Sequence, residues 1–273
     1  MRRLRAGGFL LGLTIIGAVL FMAILSLVWT PFDPLKVDPS IRSLPPGLPH
    51  LMGTDGFGMD IFSRILTGSR TVLFVGVIAV GIGAFIGVPL GMIAGSTGGL
   101  ASRFILRGAD ILYAFPALLL AILLAAAKGG GSTGTAMVAI GISTIPAFTR
   151  VSRGATLQVM SQDYLLAARA AGTTKIRMAT DHILPNIFPV VLVQMSVSFG
   201  MAILAEAALS YLGLASPITT PTWGRMLFDS QSYLFSNPNQ AFWPGLFIAM
   251  TVLGFNLVGD GLRDLLDPRL RVL

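Results

Sequence analysis

Cysteine is absent from this chain, which excludes disulfides, thiolate metal sites and cysteine nucleophiles. Histidine occurs only as His50 and His182 and glutamate only as Glu206, so the clustered ligands of a catalytic metal centre are missing. None of Lys36, Lys128 and Lys175 stands in a GxxxxGK[ST] context, so no phosphate loop exists and the chain is not its own ATPase. Ser161 or Ser210 could be paired with His182 as a hydrolytic set, but no spacing favours it. Charge is also scarce: charged residues make up 11% of the chain, against about 25% in ordinary globular proteins.

What is abundant is apolar. Hydrophobic residues make up 54% of the 273, and six segments approach the roughly 20 helical residues a bilayer crossing requires. The expected spans are Phe9 to Trp29, Thr71 to Ala94, Ile105 to Ala127, Thr135 to Phe148, Ile187 to Leu209 and Phe242 to Val258. The fold class is therefore an all-α polytopic membrane protein with six transmembrane helices. Met1-Arg2-Arg3-Leu4-Arg5 ahead of the first apolar run imitates a secretion signal, but the run is too long and lacks a small-residue cleavage site, so it reads as an uncleaved span.

The net charge of +7 does not point to nucleic acid, because the basic residues lie in short loops between spans. Placing the N-terminus inside puts Arg2, Arg3, Arg5, Arg103, Arg107, Arg150, Arg153, Arg169, Lys175, Arg177, Arg263, Arg269 and Arg271 on the inner side, with only Lys36, Arg42, Arg64, Arg70, Lys128 and Arg225 outside. The positive-inside bias then sets both termini in the cytoplasm. Three regions follow: 1–29, a tail and first span; 30–70, an extracytoplasmic segment ending in an interfacial helix from Ile61 to Ser69; and 71–273, a five-helix core with a cytoplasmic loop at 150–186.

The outer segment opens with Pro31, Pro34, Pro39, Pro45, Pro46 and Pro49 and reads as extended. Asp55 and Asp60 behind it are read as Asx caps of a turn rather than cation ligands. Gly83, Gly87, Gly91 and Gly95 line one face of the second span, a ribbon for close helix approach or a pore lining. Arg107 and Asp110, three apart, are expected to satisfy each other, and Pro89, Pro116 and Pro146 are possible helix breaks. Glu206, late in the fifth span, is either functional or structurally partnered. Trp223 and Trp243 suit the headgroup level.

The least lipid-like stretch is Ser161 to Asn186, a basic island with Asp163 placed for a helix N-terminus, Gly172 for a left-handed C-cap and Thr173 or Thr174 for the next cap. Ser161 is the expected N-cap of the first helix, and the second should stop before Pro185. Small residues make it a low-profile docking surface for another protein; the alternative is an amphipathic helix resting on headgroups.

These residues also carry a family resemblance. Ala167-Ala168, Gly172 and His182-Ile183-Leu184-Pro185 resemble the EAA loop (EAA-x3-G-x9-I-x-LP) of permease subunits of binding-protein-dependent ABC importers, with Leu166 in place of the leading Glu. Gly53 to Arg70 resembles that family's GTD-x2-GRD-x-LSR pattern, with Met59 and Phe62 departing from it. Glu206 to Leu214 and Pro221 to Leu227 resemble its outer loop. Asn256 to Arg269 is similar to the NLLGDGLRDxLDPR ending of C-type permeases of dipeptide, oligopeptide and nickel importers. The resemblance implies a type I permease fold whose coupling helix meets partner ATPases through Tyr164, Leu166, Ala167, Ala168, Arg169, Gly172, His182, Leu184 and Pro185. Asp260, Arg263, Asp264 and Asp267 belong to the C-terminal motif.

It further implies a homologous B-type permease, two ATP-binding cassette subunits that hold ATP and Mg, an extracytoplasmic peptide-binding protein, and a prokaryotic cell membrane. No cofactor, metal or nucleic acid is expected on this chain. Two rival classes are an ion-coupled secondary transporter, for which Asp110, Glu206 and Asp260 lie too near span ends to form a mid-membrane relay, and a non-transporting scaffold.

Overall fold

The computed structural model of the chain describes residues 2–215 and 219–266, with side chains from residue 7 onward. Ten helices follow in order: α1 (Arg2–Val28), α2 (Ile61–Thr97), α3 (Gly99–Tyr113), α4 (Ala117–Ala127), α5 (Thr133–Met160), α6 (Asp163–Ala170), α7 (Lys175–Arg177), α8 (Leu184–Tyr211), α9 (Trp223–Ser230) and α10 (Asn239–Leu266). Among the described residues five helices are long and apolar enough to cross a membrane, and α3 with α4 forms a sixth, bent segment.

The bend corrects the expected third span. α3 and α4 meet at 82° rather than forming one rod from Ile105 to Ala127. Pro116 has no amide hydrogen to give and disfavours helical backbone at Phe115, so the chain leaves α3 and restarts. Pro89 and Pro146, equally capable of breaking a helix, lie inside continuous α2 and α5. Neighbouring helices re-satisfy such sites at membrane depth.

α2 begins earlier than expected. Ile61 to Ser69 is not a separate interfacial helix but the first turns of a 37-residue rod, about 55 Å long at the standard rise. Most of its first three turns is buried, which an interfacial position would not allow. Asp60 caps it, Oδ2 accepting from the Ser63 amide and hydroxyl at 2.7 Å each. The proline-rich segment is sewn onto this start. Phe32 N donates to Ser63 Oγ at 3.0 Å, and His50 Nδ1 lies 2.9 Å from Asp60 Oδ1. Asp55 Oδ1 accepts from the amides of Phe57 and Met59, as an Asx turn requires. A single 3-10 turn, Pro39–Ile41, interrupts the extended run, with Pro39 in its first turn where no amide is needed. The side-chain and backbone groups of Ser40 hold the Asp38 carboxyl at its cap below the ordinary carboxylate range.

Beneath this cap lies a buried charge network. Arg64, 1% exposed, ion-pairs with Asp55 and reaches Asp229 Oδ2 at 3.4 Å, while Asp229 Oδ1 accepts from Arg225 Nε at 3.0 Å. It ties the outer segment, α2 and α9 together. Trp223, placed by sequence at the headgroups, is instead buried here and donates its indole N–H to Ile65 O at 3.1 Å. Trp243 is half-buried against Phe242.

The centre of the bundle is the contact of α2 with α5. A Cβ added at Gly83, Gly87, Gly91 or Gly95 would meet Thr144, Phe148, Ser152 or Thr156 of α5, or the α5 backbone itself. The ribbon therefore packs within this chain rather than lining an opening. Around it Val75, Ala79, Ala139, Ile140, Ile187 and Ala202 form the main core. α1 approaches α10 in the same way: Gly254 and Gly261 leave room only for Ile15 and Phe9.

Gly91→Leu should abolish assembly of a monodisperse subunit in detergent, because overpacking of this kind costs about 1–3 kcal/mol or more and the α5 backbone cannot yield. Gly81→Leu, on the open face of α2, should leave the elution profile unchanged.

Candidate functional site

At the end of the bundle opposite the proline-rich segment, α5 gives way to the polar island. Ser161 is not the N-cap expected of it. It ends α5, its hydroxyl donating to Gln158 O at 2.8 Å, and Gln162 occupies the cap position of α6 with its side chain turned back to Gln158 O rather than capping the helix. Asp163 sits in the first turn and Arg169 in the last, both favourable to the helix dipole.

Gly172 closes α6 at φ +79°, with Thr173 N donating to Ala168 O at 3.1 Å and Gly172 N to Arg169 O at 3.0 Å. That double bond pattern is a Schellman closure, which places a left-handed residue at this position. Thr174 then caps α7, accepting from Arg177 N.

The second correction concerns Pro185. The helix does not stop before it. From α7 the chain passes through a π-helical turn, Met178–Ile183, directly into α8, where Pro185 occupies the first turn. Proline is accommodated where the π-helical turn passes into α8, the wider turn absorbing the register change. Asn186 Nδ2 donates back to His182 O at 2.6 Å across the junction. Lys175 to Tyr211 is thus a continuous run of 37 residues.

Burial divides the hairpin into two faces. Leu165, 2% exposed, plugs into the core with Met178 and Ile183, and Ala168 packs against the same cluster half-buried. Tyr164, Leu166, Ala167, Arg169 and Gly172 face outward, as do Leu184 and Pro185, while His182 is half-buried. Ile176, 79% exposed, adds an apolar side chain that the sequence reading missed. Its signal was the Thr-Thr cap, which places Ile176 in the first turn of a short solvent-facing helix. Leu166, standing where the motif has Glu, presents a hydrocarbon surface instead of a carboxylate.

The remaining singled-out residues lie elsewhere. Glu206 is fully buried, its Oε1 accepting from Ser210 Oγ at 2.6 Å, and α9 closes over it with Gly224 against Ala207 and Ser210. Asp110 does not pair with Arg107; it accepts from Arg150 Nη2 on α5 at 2.7 Å, because α3 crosses α5 with that face turned toward Arg150. Asp260 and Arg263 are exposed on the last turns of α10 and Asp264 is half-buried there. Asp267 lies outside the described residues, as do Arg269 and Arg271.

A broken third segment, a glycine-fused pair of long helices and a short helical hairpin joined rigidly to the next span set the terms for comparison with known proteins. The profile of the binding-protein-dependent transport system inner membrane component family matches residues 87–272. The chain belongs to that family.

This permease is 41% identical over 96% of its length to a dipeptide transport system permease protein of Alkalihalophilus pseudofirmus, covering 86% of that protein. It is 40% identical to an oligopeptide transport system permease protein of Bacillus subtilis, over 96% of this chain and 86% of the relative. A glutathione transport system permease protein of Pectobacterium atrosepticum is 44% identical over 83% of this chain and 75% of its own. Among solved structures, an inward-facing form of the methionine ABC transporter MetNI superposes with a TM-score of 0.61, covering 73% of this chain and 94% of that one at 16% identity. That likeness is one of fold.

Leu165→Ala should loosen the hairpin without removing its outward face, since deletion of a buried leucine side chain costs about 2–5 kcal/mol. Amide exchange measured across Asp163 to Ala170 should accelerate while the exchange of α2 and α5 stays as it was.

Proposed function

We propose that this permease forms one half of the translocation path of an ATP-driven importer for di- or oligopeptides and couples that path to separate ATPases through α6 and the turn that follows. The observation that carries the reading is the two-faced hairpin. One face, Leu165 with Ala168, Met178 and Ile183, is anchored in the core. The other, Tyr164, Leu166, Ala167 and Ile176, is an open apolar and small-residue surface on an otherwise polar loop. Such a surface fits a cleft in another protein better than it fits water.

Force applied there has a stiff route inward. α7, the π-helical turn and α8 are one continuous helical run, and displacement of its end tilts a span that packs on both α5 and α10. ATPases closing on ATP and Mg would move the hairpin and bias the bundle between inward-facing and outward-facing packings. The chain contributes no bond-breaking chemistry and holds no cofactor; nucleotide belongs to the ATP-binding cassette subunits.

A homologous B-type permease completes the path, and an extracytoplasmic peptide-binding protein delivers cargo to the proline-rich end. In this arrangement both termini and the hairpin are cytoplasmic, in the cell membrane of a prokaryote, which accords with the positive-inside distribution of arginine. Relatives named for dipeptides, oligopeptides and glutathione support a peptide cargo over nickel or another small solute. Membership of the binding-protein-dependent family removes the ground for an ion-coupled carrier.

Ala167 is the position to alter, because Ala168 is half-buried against the core and Gly172 is fixed by its positive φ. In liposomes holding the full complex, Ala167→Arg should leave the subunit inserted and folded but abolish ATP-dependent uptake of labelled dipeptide. Wild-type uptake by that variant would exclude docking on this face.

A further inference from the structure

The bent third segment turns in the open. Tyr113, Ala114, Phe115 and Pro116 around the bend between α3 and α4 are all exposed on this chain. Interrupted backbone persists at membrane depth only where protein covers it or a watery cavity adjoins it, since lipid offers no hydrogen bonds. Beside the bend, Arg150 Nη2 donates to Asp110 Oδ1 at 2.7 Å, and the guanidinium lies 4.4 Å from the centre of the Tyr113 ring. The two charged side chains are 42% and 58% exposed. By helix rise Asp110 is about 16 Å along α3 and Arg150 about 15 Å from the end of α5, so the pair does not belong to the terminal loops.

A polar stripe runs through the pair on each helix. Exposed Arg150, Gly154 and Gln158, with half-buried Ser143 and Ala147, recur at helical spacing on one face of α5, where Leu157 is exposed as well, and Arg103, Arg107 and Asp110 do so on α3 beside exposed Leu100, Phe104 and Ile111. The two stripes meet at the ion pair. Charged and small polar groups are the wrong neighbours for acyl chains. A dry contact with another subunit is no better suited, because neither Arg103 nor Arg107 has a carboxylate partner among the described residues and burial of such cations is costly. Water is the neighbour that fits.

We propose that this face lines the aqueous path and that the Arg150–Asp110 pair is a constriction which opens onto the two ends of the cargo, Arg150 receiving a peptide's C-terminal carboxylate and Asp110 its N-terminal ammonium. The assignment rests on the peptide reading above. The exchange is between like groups: one carboxylate replaces another on the guanidinium, and one cation replaces another on the carboxylate. Cargo is therefore recognised without being held, which is the condition for passage through a binding site rather than capture by it. Tyr113 keeps the guanidinium over its ring while the pair is open.

The absence of cysteine makes the test direct. In the complete complex, reconstituted in liposomes, Ala147→Cys should react with a charged, membrane-impermeant thiol reagent, read by mass on this chain, whereas Phe85→Cys on the apolar outside of α2 should not. Arg150→Gln and Asp110→Asn should each lower uptake of a zwitterionic dipeptide about tenfold, the scale of one lost hydrogen bond to a charged group. ATP hydrolysis stimulated by the binding protein should persist in both. An unreactive Ala147→Cys, or wild-type uptake in both charge variants, overturns the proposal. Loss of the second permease on purification of either variant overturns it in favour of a subunit contact. A wild-type complex that hydrolyses ATP yet moves no peptide overturns the peptide reading and with it the roles given to the two charges, and thiol reactivity then reports separately on whether the face meets water.

Discussion

Close approach of α2 and α5 is the constraint on which the rest of this permease depends. In a bilayer, apolar side chains gain nothing by leaving lipid for one another, so helices associate through close packing and hydrogen bonds. Gly83, Gly87, Gly91 and Gly95 remove the side chains that would hold the backbones apart, and Thr144, Phe148, Ser152 and Thr156 occupy the space. Ser152 Oγ is 3.4 Å from Gly87 O as well as bonded within its own helix, which shows how near the two backbones run. With that axis fixed, α8 packs against both helices, α10 packs against α8, and α1 bridges α10 and α2.

Each end of the axis is finished differently. At the proline-rich end the closure is ionic: Arg64 is held between Asp55 and Asp229, with Arg225 behind. Burying these charges is costly, and removal of one partner from such a set costs about 3–5 kcal/mol because the survivors are left uncompensated. The network therefore fixes one arrangement of the outer segment and α9 over α2. At the hairpin end the closure is hydrophobic and shallow, resting on Leu165, Met178 and Ile183. A rigid cap at one end and a lightly anchored hairpin at the other is the layout that the proposed coupling calls for, because a displacement of the hairpin would be taken up by tilting spans rather than by opening the cap.

The faces left open sort by chemistry. α1 turns Leu10, Phe21, Leu27 and Val28 outward, as lipid contact demands. The outer sides of α3 and α5 add arginine, aspartate and glycine to exposed apolar residues such as Phe104, Ile111 and Leu157. On the reading proposed above, the charged stripe is the side turned to water and to a second permease subunit, while the apolar side of α1 is turned to lipid.

Composition and hydropathy were enough to determine an all-helical membrane protein with about six crossings, and the spacing of Gly83 to Gly95 marked one helix face as special, though as a helix contact or a pore lining alike. The turn chemistry of Asp55 and Asp60 and the left-handed stop at Gly172 were equally legible, since these depend on the local chain alone. Tertiary structure decided what depends on neighbours. Only it determined that Pro116 breaks its helix while Pro89, Pro146 and Pro185 do not, because tolerance of a proline rests on which groups nearby satisfy the freed carbonyls. It paired Asp110 with Arg150 rather than Arg107, because the crossing of α3 over α5 outweighs proximity along one helix. It buried Trp223 of α9 against α2 and Glu206 beneath α9, and it turned Ala168 inward and Ile176 outward on the hairpin. A sequence records which residues can be buried, but which of them are buried depends on what packs across from them.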